Sequence, residues 1–220
     1  MGELKSINRR TFVKRSAFGA LSVPLISTNT LLSLPPKSIK LTILHTNDMH
    51  SHIDPFSIND SKYPGMGGMR KMASIVKKIR KEEDHVLLLD AGDIFQGTPY
   101  FNKYKGEIEL KIMSEMGYAA STMGNHDFDN GINGFNDVLP YANFPFLCSN
   151  YDFSNTTLNG KTKKFITKTF GELKVGLFGI GIKLNGLVEK RLYKETQYYE
   201  PIEIANHYAE ILKGEHNCDI

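Results

Sequence analysis

The sequence predicts an α/β protein with a mainly parallel sheet and helices on its faces. From residue 40 onward, apolar strand-like segments alternate with segments of helical periodicity, which is typical of strand–helix–strand units. Three polar runs each follow one of the apolar segments. The length of 220 residues and the hydrophobic content of 40% are sufficient for one sizeable core.

The elements are predicted in the following order. A strand over residues 41–45 and a loop rich in Gly, Pro, Asn and Asp precede a helix over residues 69–81, whose apolar residues recur at helical spacing. A strand at 86–90, a helix at 107–116 that ends at Gly117, and a strand at 118–123 follow. The remainder predicts a short helix near 135–139, a strand at 145–149, a β-hairpin of 164–170 and 174–181, and a helix over 202–213.

Residues 217–220 are predicted to begin a further buried strand. A sheet that stops at such a strand leaves an unpaired row of backbone donors and acceptors. We therefore expect residues 38–220 to be the N-terminal portion of a domain that is incomplete at its C terminus.

The basic excess lies at the N terminus. Of the 27 basic and 24 acidic residues, seven and one respectively lie in residues 1–40, which gives +6 there and −3 in the remainder. Because residues 41–220 are so close to neutral, their charge offers no electrostatic basis for binding nucleic acid. The two cysteines form no metal-binding pattern and are predicted to be buried free thiols, although an oxidising compartment would permit a disulfide.

The N-terminal segment has the features of an export signal. The Arg9-Arg10 pair, with Phe12 and Lys14 in register, resembles the twin-arginine translocation motif. The apolar stretch at 17–26 is too short to span a bilayer stably. Residues 1–36 are therefore predicted to be a signal peptide and linker that engages the twin-arginine translocase and directs the protein to the periplasm or cell surface. The alternative is a disordered basic tail.

The three polar runs contain metal-ligand residue types. They are Asn-Asp-Met-His at 47–50, Gly-Asp at 92–93 and Gly-Asn-His-Asp at 124–127. Open α/β sheets gather such groups in a crevice at the carboxyl ends of parallel strands. Asp48 and His50 are two residues apart and would face the same side in extended backbone. Carboxylates held this close repel one another without a cation, so the pattern predicts a metal site.

Four of these residues could begin a two-metal site. Asp93 follows a glycine at a strand end and could bridge two cations, and Asn125 offers a neutral amide oxygen to ions such as Mn²⁺ or Zn²⁺. With Asp48 and His50, they would support phosphoryl displacement, in which a metal-bound hydroxide is the nucleophile. The alternative is that all four are turn-forming or capping residues.

His126 is predicted to face the substrate. As an imidazolium it would stabilise phosphoryl charge or protonate the leaving oxygen. Its second ring nitrogen needs a carboxylate, for which Asp127 and Asp129 are the candidates. The i+3 position favours Asp129. No role is assigned to Gln96 or Thr98.

These runs closely resemble those of the calcineurin-like metallophosphoesterases. The sequence Ala-Gly-Asp-Ile-Phe-Gln-Gly-Thr-Pro at 91–99 and the Phe-Asp pair at 128–129 are similar to the 5′-nucleotidase branch. The resemblance implies a four-layer α/β sandwich and two divalent metal ions. It implies that Asp48 and His50 bind the first metal, that Asp93 bridges, and that Asn125 binds the second.

The same resemblance implies a catalytic role for His126, paired with Asp129, and contacts of Asn125 and His126 with the substrate. The family completes its site with a later histidine and a Gly-His-x-His run, neither of which is found in this sequence. The expected function is an exported phosphoesterase that hydrolyses 5′-nucleotides to nucleoside and phosphate. The alternatives are a catalytically inactive fragment and an exported metal- or nucleotide-binding module.

Overall fold

The computed structural model describes residues 38–220, and the predicted export signal lies outside these residues. The strands are β1 (Thr42–Thr46), β2 (Val86–Asp90), β3 (Tyr151–Asp152), β4 (Phe165–Phe170), β5 (Leu173–Phe178) and β6 (Gln197–Tyr198). The helices are α1 (Met69–Glu82), α2 (Pro99–Tyr104), α3 (Glu107–Met116), α4 (Gly131–Val138), α5 (Lys190–Tyr193) and α6 (Pro201–Gly214), with short 3₁₀ turns at His126–Phe128 and Leu139–Tyr141.

A parallel arrangement of strands leads to the candidate site. β1 pairs with β2 in parallel, from Thr42 opposite Val86 to Thr46 opposite Asp90. Parallel bridges extend the arrangement through the segments near residues 120, 146 and 163. The predicted parallel sheet is therefore confirmed, and the ends of β1 and β2 lie side by side.

Two predicted strands are reduced to single bridges. Residues 118–123 form isolated bridges at Ala120 and Ser121, and residues 145–149 at Phe146 and Leu147. The backbone N–H of Tyr118 still donates to the Met113 carbonyl of α3, which ties the beginning of the first segment to the end of that helix. That bond leaves the Tyr118 N–H unavailable for pairing with the neighbouring strands.

The predicted hairpin and the predicted helices are present, whereas β3, α5 and β6 were not predicted. β4 and β5 form the predicted antiparallel hairpin. The helix predicted near residues 135–139 begins earlier, as α4. α2 was not among the predicted helices, because Gln-Gly-Thr-Pro at 96–99 is a typical loop sequence. However, proline at the first helical position is compatible with helix geometry and begins this short helix.

Residues 217–220 are not a strand, although their backbone does reach β5. The Asp219 N–H donates to the Lys174 carbonyl at 2.7 Å, and the Gly176 N–H donates to the Ile220 carbonyl at 2.8 Å. The prediction of a strand was therefore wrong, although these backbone hydrogen bonds join the segment to β5.

The core lies between the helices and the parallel strands. It is rich in aromatic side chains, of which Phe95, Phe128, Phe135, Phe146 and Tyr151 are fully buried. Phe95 and Phe128 directly flank candidate site residues, so the site rests on packed core. Both cysteines are free and buried, as predicted. Within residues 38–220, no helix has the length and apolar character needed to cross a membrane.

Candidate metal and phosphoester site

Three loops bring metal-ligand side chains together. His50 follows β1, Asp93 follows β2, and His126 follows the bridge segment at 120–121. One donor atom from each of these residues lies within 4.8 Å of the others. The rings of His50 and His126 meet edge to face, with centroids 5.0 Å apart. This convergence agrees with the expectation that the ends of neighbouring parallel strands share a crevice.

The loop after β1 is not extended, contrary to the sequence-based argument. Asp48 and His50 have φ values of 50° and 45°, in the left-handed region that non-glycine residues seldom occupy. Their side chains nevertheless come together, with His50 Nε2 3.7 Å from Asp48 Oδ1. The side-chain amide of Asn47 also donates to the other oxygen of Asp48. The two candidate ligands are therefore joined by a tight turn and not by strand alternation.

Asp93 lies at the centre of the cluster, where two backbones approach closely. Its φ is 55°, and its Oδ1 accepts the backbone N–H of His126 at 2.9 Å. A Cβ on Gly124 would lie 2.1 Å from that same oxygen, and a Cβ on Gly92 would lie 2.5 Å from the Gly124 nitrogen. Side chains at either glycine would separate the second and third loops.

Asp127 joins these two loops from beneath, a role that the sequence analysis did not assign. The carboxyl is fully buried. Its Oδ2 accepts the backbone N–H groups of Asp93 and Gly124, each at 2.9 Å. Its Oδ1 accepts those of Ile94 at 3.0 Å and Phe95 at 3.4 Å. Because four N–H donors converge on two oxygens, the geometry suits a carboxylate.

The pKa of Asp127 is raised overall, to about 8, although opposing effects act on it. Burial raises the pKa most strongly, and the nearby carboxylates of Asp90 and Asp93 also raise it. The N–H groups of Gly124 and Ile94 lower it. The signal in the sequence was the position of an aspartate immediately after the Gly-Asn-His run, but three of its four partners lie 32 to 34 residues earlier in the chain.

His126 is bonded to Asp129. Its Nδ1 lies 2.9 Å from Asp129 Oδ2, so the structure has the i+3 pair that the sequence favoured. Burial lowers the pKa of His126, but the hydrogen bond and the charge of Asp129, with the charges of Asp93 and Asp127, raise it overall. Since Nδ1 is engaged, Nε2 is the ring nitrogen left for a ligand or substrate.

Among the described residues, Asn125 makes hydrogen bonds through its backbone and none through its side chain. It precedes the 3₁₀ turn at His126–Phe128, and its carbonyl accepts the N–H of Phe128 at 3.2 Å. Its side chain makes no hydrogen bond among the described residues. The structure thus brings Asp48, His50, Asp93, His126 and Asp129 into one cluster and leaves the Asn125 amide oxygen uncommitted.

A buried polar network that the sequence analysis missed supports the end of β2. Asp90 accepts hydrogen bonds from Thr46 Oγ1 at 2.7 Å, Ser121 Oγ at 2.8 Å and the Gly92 N–H at 2.9 Å. Burial raises the pKa of Asp90 to about 6, against these bonds. The hydroxyls of Tyr118 and Thr46 are 2.8 Å apart, and burial raises the pKa of Tyr118 to about 12. This network connects β1, β2 and the segment at residues 118–123 by hydrogen bonds, below the loops that carry the site.

The donor set fits a divalent cation. Across residues 38–220, no Lys or Arg forms an ion pair with any carboxylate of the cluster. His50 Nδ1 is buried and has no hydrogen-bond partner there. Imidazole nitrogens and carboxylate oxygens are the ligands of Zn²⁺ and Mn²⁺ in proteins. A cation bound here would offset the repulsion between neighbouring carboxylates.

Comparison with known proteins agrees with this geometry. The family profile described as calcineurin-like phosphoesterase matches residues 41–216. The chain belongs to this family. Calcineurin-like phosphoesterases use divalent metals, which is consistent with the cluster of His50, Asp93 and His126.

Several relatives are 5′-nucleotidases. The chain is 39% identical over 159 residues to a snake venom 5′-nucleotidase of Gloydius brevicauda. The aligned region covers 69% of this chain and 27% of the relative. It is 38% identical over 172 residues to a 5′-nucleotidase of Bos taurus, and that aligned region covers 73% of this chain and 30% of the relative.

Solved structures show the same fold. A 5′-nucleotidase precursor from Thermus thermophilus matches with a TM-score of 0.72 and 29% identity, covering 80% of this chain and 35% of that one. The NAD nucleotidase NadN of Haemophilus influenzae matches with a TM-score of 0.70 and 28% identity, covering 81% and 33%. The α/β metallophosphatase class is therefore confirmed, and the chain spans about a third or less of each of these proteins.

Proposed function

We propose that this chain carries metal-binding and acid–base residues of an exported, divalent-metal-dependent phosphoesterase that hydrolyses 5′-nucleotides to nucleoside and phosphate. The observation that carries the proposal is the convergence of His50, Asp93 and His126 within 4.8 Å, with His126 bonded to Asp129. The 5′-nucleotidase relatives support the choice of substrate.

Each side chain has a role under this proposal. Asp48 and His50 would hold a first cation, Asp93 would bridge to a second, and the uncommitted amide oxygen of Asn125 would bind that second ion. When bound, such cations polarise a phosphate ester and increase the acidity of water. Asn125 would also contact the substrate.

His126 would act on the substrate through Nε2. Asp129 holds the proton of the ring at Nδ1 and orients the imidazole, and the raised pKa favours the protonated form. A protonated Nε2 would stabilise negative charge on the phosphoryl group or give its proton to the leaving oxygen.

The proposal is tested by substrate hydrolysis after loading with Mn²⁺ or Zn²⁺. We expect 5′-nucleotides to be hydrolysed faster than sugar nucleotides, cyclic nucleotides or sulfate thioesters. Asp93→Ala should lower kcat/KM by at least about 100-fold, because a bridging ligand matters no less than the groups that merely orient ligands. Asp137→Ala is the matched control, since Asp137 is exposed and lies on α4. Activity retained in Asp93→Ala would rule out this mechanism.

A second candidate function is metal binding without turnover. It is favoured by one observation: among the described residues, His and carboxylate donors form a single group of three. Calorimetric titration with Mn²⁺ distinguishes the two candidates. Two equivalents bound per chain support the dinuclear phosphoesterase, whereas one weak equivalent without hydrolysis supports a binding module.

Export is proposed on the resemblance of residues 8–14 to the twin-arginine motif, with residues 1–36 as signal and linker and residues 38–220 as the phosphoesterase portion. Fusion of residues 1–36 to a reporter should deliver the reporter outside the cytoplasm. Replacement of Arg9 and Arg10 by lysine should retain it inside, and export without the arginine pair would contradict the proposal.

A further inference from the structure

The loop that carries His50 has a costly backbone conformation. Asp48, His50 and Ser51 have φ values of 50°, 45° and 52°. Non-glycine residues in this region persist only where the surroundings over-determine them, and such residues cluster at ligand sites. The contacts that hold this loop therefore also determine where the imidazole of His50 points.

The N–H side of the loop is held by the second loop. The N–H groups of His50 and Ser51 donate to the carbonyls of Asp93 and Ile94, at 3.1 and 2.9 Å. These backbone bonds extend the pairing of β1 with β2 past the strand ends. They leave the carbonyl side of the loop to be held by other groups.

The carbonyl side is held by the Gln-Gly-Thr turn at residues 96–98. Thr98 Oγ1 donates to the Ser51 carbonyl at 2.7 Å. That carbonyl also accepts the N–H of Ile53 within its own turn, at 2.8 Å. In the described chain, Thr98 supplies the only side-chain hydrogen bond to the backbone of residues 48–51. Gly97 permits the approach, because a Cβ there would lie 2.8 Å from the His50 carbonyl oxygen.

Thr98 is not used as an ordinary helix cap. It occupies the N-cap position of α2, where a threonine hydroxyl usually accepts an N–H of its own helix. Here it makes no such bond and donates to the loop of His50 instead. The hydroxyl therefore contributes to the loop in place of its own helix.

The inner side of the loop offers little alternative support. Ser51 is fully buried, and its hydroxyl makes no hydrogen bond of normal geometry among residues 38–220, although it lies near the buried Glu109 carboxyl and lowers the pKa of that group. Removing the Thr98 hydroxyl would therefore leave the Ser51 carbonyl with only the short-range bond from Ile53.

We propose that Thr98 is a positioning residue for the metal ligand His50, acting through the Ser51 carbonyl. This inference rests on the proposed function, in which His50 binds a divalent cation. It assigns a role to the Gln-Gly-Thr-Pro sequence, which otherwise serves only to start α2.

The test is calorimetric titration with Mn²⁺ alone, on the wild type and three variants. Thr98→Val removes the hydroxyl at nearly constant shape and should weaken Mn²⁺ binding about 10-fold, as for other groups that orient metal ligands. Thr98→Ser keeps the hydroxyl and should bind within about 2-fold of the wild type, well short of that orientation effect. Thermal unfolding on the same samples should show a fall in Tm of only about 2–4 °C for Thr98→Val, as expected for one hydrogen bond.

A second comparison does not depend on the fold of the valine variant. Thr98→Ala and Thr98→Ser both lack the γ-methyl group and differ only in the hydroxyl, so the alanine variant should bind about 10-fold more weakly than the serine variant. Equal Mn²⁺ affinity in this pair, with wild-type binding intact, would overturn the inference alone. Absence of Mn²⁺ binding by the wild type would overturn the proposed function as well.

Discussion

The clearest test of the site's architecture is Asp127→Asn, an isosteric change beneath the metal ligands. The best placement of the amide keeps its oxygen on the N–H groups of Asp93 and Gly124, both at 2.9 Å. Its NH₂ then faces the N–H groups of Ile94 and Phe95, which lose their acceptor. Two buried backbone donors, and the new NH₂ group itself, are therefore left unpaired.

The cost follows from these bonds. Leaving a buried N–H donor without its acceptor costs about 1–3 kcal/mol. The bond from Ile94 is of normal length, whereas that from Phe95, at 3.4 Å, is weak. We expect a loss of roughly 3 kcal/mol in the free energy of unfolding. With a urea slope of about 2 kcal/mol/M, the midpoint of unfolding should fall by about 1.5 M.

The assay is urea denaturation at pH 7, with Asp137→Asn as the control. Asp137 is exposed, and its replacement should change stability by no more than about 0.5 kcal/mol. Because the second loop would lose two of its three bonds to residue 127, Asp127→Asn should also weaken Mn²⁺ binding. A midpoint for Asp127→Asn that matches the control would refute the idea that one carboxylate joins the two loops.

Three further predictions follow from individual contacts. Asp129→Asn should lower kcat about 10- to 100-fold, because Asp129 orients His126, and should leave the number of bound metal ions unchanged. Steady-state kinetics measure kcat, and calorimetric titration measures the metal stoichiometry. Loss of one equivalent of metal would instead make His126 a metal ligand. Burial raises the pKa of Glu109 above 4.5, while the nearby Ser51 hydroxyl and the Glu109 backbone lower it. The wild type therefore loses stability as pH rises from about 4.5 through that raised pKa, and Glu109→Gln should lack this loss; parallel pH dependence of Tm in the two proteins would contradict the prediction. Phe135→Ala should lower the free energy of unfolding by about 3–5 kcal/mol, because the ring is fully buried, whereas Ile202→Ala at an exposed position should change it little. Chemical denaturation measures both variants. Equal losses would show that the core has been misassigned.

The sequence predicted most of the elements because their signals are local. Helical periodicity placed α1 and α3, and the turn at residues 171–172 placed the β-hairpin. Where the prediction failed, either a neighbouring element decided the outcome or the local composition was misleading. Residues 118–123 form bridges and no full strand, since their start remains bonded to α3. α2 was missed because its first residues have the composition of a loop.

The site was predictable in its residue types and less so in its geometry. Asp48 and His50 were expected to meet through extended backbone, yet they meet through a left-handed turn. That conformation is stabilised by the second loop, so nothing within residues 47–50 signals it. The pairing of His126 with Asp129 was predictable, because the two residues lie three apart in one turn.

By itself, the sequence determined the order of the polar runs, the strands they follow and the family they resemble, since each of these is written in a few consecutive residues. Only the tertiary structure decided how the runs are held against one another. Asp127 binds the second loop across 32 to 34 residues, and Thr98 binds the first across 47. Such contacts depend on where the folded backbone places a hydrogen-bond donor beside an acceptor, and chain spacing does not encode that position.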